Sequence, residues 1–240
     1  MNTNSNAYIF IYSSLLVIVV AAGLAFTALT LKPAQDLNIE IEKKQNILAS
    51  FGIPSTPENA VELYSKYVKE TYAINAAGEK LDLEPSKVFN TDLKKETVKP
   101  IDERVLPLYR AEVDGKTYVI IPLRGKGLWG PIWGYVSLES DLNTIHGAVF
   151  DHKGETPGLG AEINKDWFQE PFVGKKLFDA SGKFTSIHVY KGGKGASAMA
   201  GDTDHGVDGI SGGTITSKGL EAMLRDCLVA YEKYFVQNKQ

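Results

Sequence analysis

Residues 116–123 read KTYVIIPL, 132–139 read IWGYVSLE, 144–152 read TIHGAVFDH and 184–191 read FTSIHVYK. Val, Ile, Tyr and Trp dominate these runs and glycines bound them, the composition that suits a pleated, half-buried surface. All four are predicted strands. A short helical piece, NKDWFQEPF (164–172), lies between the third and the fourth. A helix follows over about 216–236, where Leu220, Leu224, Cys227, Leu228, Tyr231 and Phe235 recur at i, i+3, i+4 spacing. Cys227 sits on that apolar stripe as a core residue. The layout predicts an α+β fold, an antiparallel sheet with helices packed on it.

Upstream of the strands the pattern is helical. In PAQDLNIEIEKKQNILASFGI (33–53), Leu37, Ile41, Ile47, Leu48 and Phe51 alternate with charges, and Gly52 with Pro54 ends the run. A second helix is expected from about Pro57 to Tyr72, with Thr56 as cap and Val61, Tyr64, Tyr67 and Val68 on one face. Residues 32–100 thus read as a helical stalk or packing region without chemistry of its own. Residues 101–240 read as the functional domain.

Before Lys32 there is no charged residue at all. After a six-residue tail (1–6), the stretch from Ala7 to Leu31 runs 25 residues with a strongly apolar composition. As a helix it spans roughly 37 Å, enough for a hydrocarbon core of about 30 Å. Its hydroxyls, such as Ser13, Ser14 and Thr27, can bond back to their own helix. A cleaved signal peptide needs a basic start and a shorter apolar core. Neither is present, so an uncleaved, single-pass transmembrane helix is expected. The basic residues do not fix its orientation: Lys32, Lys43 and Lys44 follow the helix, and the tail holds no Lys or Arg.

With 26 Lys and Arg against 29 Asp and Glu, the net charge is -3. Bulk electrostatics therefore give no reason to expect nucleic-acid binding. A single cysteine can neither ligate an iron–sulfur cluster nor close an internal disulfide. Any electron chemistry must come from an organic cofactor. The four histidines (146, 152, 188 and 205) lack metal-ligand spacing, and no metal site is expected.

Two motifs carry rival readings. Gly125-Lys126-Gly127-Leu128-Trp129-Gly130 matches the dinucleotide fingerprint, but a strand follows it where a helix N-terminus should stand. It reads instead as a glycine-rich hairpin connection. Trp129 and Trp133 beside it are candidates for a flat cofactor or a partner, with core packing expected for at least one. Gly209-Ile210-Ser211-Gly212-Gly213 matches the nucleophile elbow of serine hydrolases. All four histidines precede Ser211, which rules out that fold's Ser, acid, His order. A hydrolase on another fold, with His205 and Asp204 or Asp208, stays as the alternative of a different class.

Extended to Asp208-Gly209-Ile210-Ser211-Gly212-Gly213-Thr214-Ile215-Thr216-Ser217, the same segment runs into the last helix. Thr214 stands at or just before a helix N-terminus, where free N–H groups and the helix dipole favour a phosphate. One hydroxyl among Thr214, Thr216 and Ser217 could equally cap the helix. A cap, however, needs neither the preceding Asp-Gly nor three glycines in six positions.

DGISGGTIT resembles the flavinylation motif of the FMN-binding domain family: an Asp, a Ser or Thr, a Gly, usually an Ala, then an acceptor Thr. The upstream run Glu155-Thr156-Pro157-Gly158-Leu159-Gly160-Ala161-Glu162 resembles that family's TPGLG loop. The order of anchor, loop, acceptor and closing helix is similar too. Within the family the resemblance is to the C subunits of sodium-translocating NADH:quinone reductases, with the G subunits of Rnf complexes as the near alternative. Gly213 departs from the pattern, standing where Ala is usual.

The resemblance implies FMN held by a phosphoester on Thr214, with Ser211, Gly212, Gly213 and Thr216 around it and Asp208 helping to position the hydroxyl. It implies that Thr156, Gly158 and Leu159 approach the flavin. No residue of the chain is expected to be catalytic by itself. A separate flavin transferase would install the cofactor from FAD with a divalent metal. The chain would relay electrons from NADH towards ubiquinone among the other subunits of a sodium-pumping inner-membrane complex, its soluble domain facing the periplasm.

Overall fold

Asp114 and Gly115 both take positive φ (50° and 77°) and join two strands in register, Val113 opposite Lys116. That is the primed two-residue turn whose twist matches the flanking strands. It begins the central hairpin of the computed structural model, which describes residues 5–239. The strands are β1 (Val68–Ile74), β2 (Leu106–Val113), β3 (Lys116–Lys126), β4 (Pro131–Leu138) and β5 (Ile145–His152). They form one antiparallel sheet in the order β1-β2-β3-β4-β5.

Side chains alternate between the two faces of this sheet, and both faces are buried. Val119, Ile121 and Leu123 of β3, with Ile132, Val136 and Leu138 of β4, point to one core. Tyr118 and Ile120 of β3 and Tyr135 of β4 point to the other. The period of two therefore separates two hydrophobic layers rather than core from solvent.

Helices cover each layer. The helical pieces are α1 (Asn6–Ser50), α2 (Ala60–Tyr67), α3 (Pro85–Phe89), α4 (Leu93–Glu96), α5 (Asp166–Gln169), α6 (Ala196–Met199), α7 (Thr214–Leu228) and α8 (Glu232–Asn238). Leu220, Leu224, Cys227 and Leu228 of α7 and Phe235 of α8 enter the first core, as the stripe predicted. Ile47, Leu48 and Phe51 at the end of α1 enter the second. The Ser137 hydroxyl donates to the carbonyl of Ser50 and fastens β4 to that end. Gly52, at φ 82°, stops α1: its amide bonds Ala49 O at 3.0 Å while the Ile53 amide reaches Leu48 O at 3.0 Å, the αL cap geometry that glycine favours.

Three expectations change. The helix expected from Pro57 to Tyr72 gives way at Val68 to the edge strand β1, so the region read as helical supplies part of the sheet. β2 carries a strand that the composition of LPLYRAEV concealed, since Pro107, Arg110 and Glu112 dilute its apolar content. Of FTSIHVYK only His188–Tyr190 is a strand, β6, and it pairs parallel with β7 (Gly206–Asp208) in a separate small sheet.

The chain divides into two compact units, residues 1–43 and 44–240. In the first, α1 is long and apolar enough to cross a membrane, with its apolar side chains exposed. The Thr27 and Thr30 hydroxyls donate to the carbonyls of Gly23 (2.9 Å) and Phe26 (2.8 Å), so these polar groups are satisfied within the helix.

Candidate functional site

Thr214 is the first residue of α7. The cap position before it is Gly213, and no side chain caps the helix. The Ser217 amide reaches back to Gly213 O at 2.9 Å, whereas amides of the first turn have no carbonyl available within a helix. A hydroxyl therefore stands among uncompensated N–H groups at the positive end of a 15-residue helix. Of the rival cappers, Thr216 and Ser217 are buried with their hydroxyls engaged elsewhere.

The loop leading to Thr214 is tightly held. Gly209 N donates to Tyr190 O (2.8 Å), Ile210 N to Ser217 Oγ (3.0 Å) and Gly213 N to Ile210 O (3.0 Å). Gly212 takes φ 76°, and a Cβ on it would come within 2.7 Å of Leu159 Cδ2. The left-handed backbone favours glycine there, while the Leu159 side chain, being exposed, can move aside. An Ala at 213, usual in the motif, would place its Cβ 2.9 Å from Ile210 Cγ2, so in this chain the bulk of Ile210 goes with the smaller residue.

Facing the Gly209–Thr214 loop is the Thr156–Gly160 turn. Thr156 O accepts from the amides of Leu159 and Ala161, both at 3.1 Å, and Gly158 is left-handed at φ 75°. Glu162 braces the turn from below, accepting from Gly158 N at 3.0 Å and from Trp167 Nε1 at 3.3 Å. The two segments brought together from Thr156 and Thr214 line one cleft of about 240 Å³ with the β3–β4 connection. Leu128, Trp129, Leu159 and Ile215 rim it and are all exposed. Hollows of about 570 and 950 Å³ elsewhere on the domain contain none of the expected site residues. The cleft pairs an apolar, partly aromatic rim with a phosphate-type helix end, which fits a planar ring carrying a phosphate.

Glu155 is the residue that sequence reasoning missed. It is 4 % exposed. One oxygen accepts from the Trp129 amide (2.8 Å), the other from the Thr216 hydroxyl (2.5 Å). Burial pushes its pKa up, but the bonds from Thr216 and from the amides of Trp129, Leu128 and Gly130 outweigh burial and hold the carboxyl below its ordinary value. Gly127 and Gly160 are glycines because a Cβ on either would reach within 2.6 Å of this carboxylate. The available signal was an acid directly before a loop of small residues, with glycines 28 positions upstream and five downstream.

Asp208 takes a different part from the expected one. Its carboxylate faces the 195–197 turn, accepting from Gly195 N (2.5 Å), Ser197 N (2.8 Å) and Ser197 Oγ (2.7 Å). Trp129 is 70 % exposed at the cleft and Trp133 is half-buried, so neither is a core residue. The Gly125–Gly130 run is a hairpin connection, closed by Gly127 N to Gly130 O at 2.8 Å. Ser211 is exposed, and the histidines are engaged elsewhere. His205 bonds Lys176 O (2.7 Å), His188 bonds Asp202 (2.9 Å), His152 accepts from Glu155 N (3.1 Å) and His146 lies against Tyr118. Nothing about Ser211 resembles a nucleophile with its base.

Known proteins resemble this chain over most of its length. Residues 127–229 match the model of the FMN-binding domain. The C subunit of the Na(+)-translocating NADH-quinone reductase of Haemophilus ducreyi is 35 % identical over 86 % of this chain and 83 % of its own length. That of Neisseria meningitidis serogroup A is 33 % identical over 88 % and 87 %. The solved structure of the Parabacteroides distasonis C subunit is 44 % identical, covers 85 % of this chain and 96 % of its own, and superimposes with a TM-score of 0.76. Shewanella oneidensis NqrC gives 30 % identity and a TM-score of 0.69. By this kinship over most of its length, the chain belongs to the NqrC family, the C subunits of the Na+-translocating NADH-quinone reductases, and its domain is an FMN-binding domain.

Proposed function

We propose that Thr214 carries FMN through a phosphoester and that the flavin relays electrons within a sodium-translocating NADH:quinone reductase, from NADH towards ubiquinone. The observation that carries this is the Thr214 hydroxyl at the uncapped start of α7, opening into the cleft shared with Leu159 and Trp129. Free amides of Thr214, Ile215 and Thr216 would meet the phosphate, and Leu128, Leu159 and Trp129 would flank the ring. When bound, FMN supplies the redox chemistry, and the protein holds and tunes it.

Attachment needs help from outside the chain. No side chain hydrogen-bonds the Thr214 oxygen among the described residues, so no base here takes its proton. A flavin transferase with a divalent metal would supply it. The bond formed joins Thr214 Oγ1 to the FMN phosphorus, the pyrophosphate bond of FAD breaks, and AMP leaves. Asp208 would act in this step only by shaping the loop before the acceptor. The anchor, residues 7–31, would hold the domain at the periplasmic face of the inner membrane, beside the other subunits.

The test is the absorbance spectrum of protein made with the transferase present, then denatured and desalted. A flavin spectrum that stays with the polypeptide is expected. Colourless protein, with transferase and FAD supplied, would sink this reading.

A further inference from the structure

Glu155 is bound by neutral donors alone. Its partners are the Thr216 hydroxyl and the amides of Trp129, Leu128 and Gly130, and none of the ion pairs found among the described residues involves it. Such donors make a buried carboxylate tolerable without cancelling its charge. The charge is fixed in the wall of the cleft that Thr214 opens into, and three segments converge on it. The β3–β4 connection arrives through Trp129, the Thr156–Gly160 turn follows it directly, and α7 arrives through Thr216, two residues beyond Thr214.

Resting on the reading of Thr214 as the flavin carrier, we propose that Glu155 is the positioning residue of the site: it holds the acceptor turn against the cleft and, as a fixed negative charge, poises the flavin to a lower potential. Reduction places electrons on the ring. A negative charge in the wall of the same cleft opposes that addition by Coulomb repulsion. A Gln at this position keeps an acceptor oxygen for the Trp129 amide and turns its NH2 to the Thr216 hydroxyl, which can accept as well as donate, so the three segments stay bridged without the charge. A purely structural clamp therefore does not require the charge, and the role left to the charge is redox tuning. The clamp has its own effect: pulling Thr216 inward frees the first-turn amides, with Thr214, to face the cleft.

The experiment uses the full chain co-produced with the transferase, as wild type and as Glu155→Gln, Glu155→Asp and Thr216→Val. Covalent flavin on wild-type Thr214 comes first; its absence would overturn the Thr214 reading, and this inference with it. With wild type loaded, Glu155→Gln is expected to raise the flavin midpoint so that the reduced-to-oxidised ratio at a fixed poise increases about tenfold, ~30 mV for a two-electron couple. Glu155→Asp keeps the charge and is expected to return the potential towards wild type. A loaded Glu155→Gln protein with the wild-type potential would overturn the inference alone. If Glu155→Gln does not fold or load, Thr216→Val decides: it leaves the charge, removes one bond of the clamp, and is expected to slow flavin incorporation at least tenfold. Incorporation at the wild-type rate would overturn the inference in that case.

Discussion

Gly219, in the second turn of α7, lies so close to the carbonyl oxygen of Lys126 that a Cβ on it would overlap that oxygen. A glycine inside a helix ordinarily costs about 1 kcal/mol relative to alanine. Here the cost is accepted because α7 must touch the end of β3, and that contact sets the distance between Thr214 and the β3–β4 connection. Gly219→Ala should therefore lose more through backbone overlap than it gains in propensity, a net destabilisation of about 2 kcal/mol. The urea midpoint of the variant checks this. Gly154→Ala, with nothing within 4 Å of its Cβ, is the control and should differ from wild type by under about 0.5 kcal/mol.

The attachment site predicts a clean separation between fold and cofactor. The Thr214 side chain makes no cap bond. Thr214→Val should then unfold within about 0.5 kcal/mol of wild type yet carry no covalent flavin. Ser211, exposed on the loop, should be dispensable: Ser211→Ala should load normally. Peptide mass mapping should place FMN on the Thr214 peptide. A mass shift on the Ser211 side of Gly212 would move the site.

Topology follows from the flavin reading rather than from charge. A tether that prevents cofactor loss suits a compartment without free FMN. Reporter fusions after Ser50 should accordingly be active when the reporter requires export. Activity from a cytoplasm-specific reporter alone would reverse the proposed orientation.

The start of the last long helix was legible because its signals are local. Thr214 at a helix start, the Gly212-Gly213 pair and the TPGLG turn are all properties of short windows. So was the apolar stripe from Leu220 to Phe235, which faces one core throughout although the one helix expected is broken by a 3-10 turn at Val229–Tyr231. What was not legible depends on partners far away in sequence. β1 follows α2 without a break, and only pairing with β2, more than thirty residues on, makes it a strand. Glu155 looks like any surface acid until Thr216, 61 residues later, closes over it. Asp208 belonged to the motif by position, but its oxygens are satisfied by Gly195 and Ser197 at the start of α6, a helix too short to show a periodic signal. The Asp114-Gly115 turn was a local signal left unread, and it would have disclosed β2.

Asp208 gives the loop before the acceptor a pH-dependent hold. Burial raises its pKa, but bonds from the Ser197 amide and hydroxyl and the Gly195 amide, with Lys175 nearby, bring it below the ordinary value. A depressed folded pKa means the contribution is complete above the unfolded pKa of about 3.9 and is lost as pH falls through the folded value. Asp208→Asn turns one acceptor into a donor facing the Gly195 amide and should cost roughly 1.5 kcal/mol at neutral pH. The gap between wild type and variant should close below about pH 4. Urea unfolding at pH 7 and at successively lower pH measures it; a gap that stays constant would exclude an ionised Asp208 as the cause.

The apolar N-terminal stretch can be removed, but not by any cut. Deleting residues 1–31 removes the apolar stretch and leaves Ile47, Leu48 and Phe51 in place, so the product should be soluble, folded and able to accept flavin. Deleting through Ile53 takes away three side chains that are at most 2 % exposed. Each contributes roughly 1.5–3 kcal/mol of burial, so the loss is about 5 kcal/mol, comparable with the whole stability of many domains. It also uncovers Tyr109, Tyr118, Ile120 and Tyr135 on one sheet face, an apolar patch that invites association. The longer deletion should therefore aggregate or melt far below the shorter one. Thermal unfolding and size-exclusion of the two truncations, made side by side, test this. Equal melting temperatures would show that the end of α1 contributes nothing to the sheet it covers.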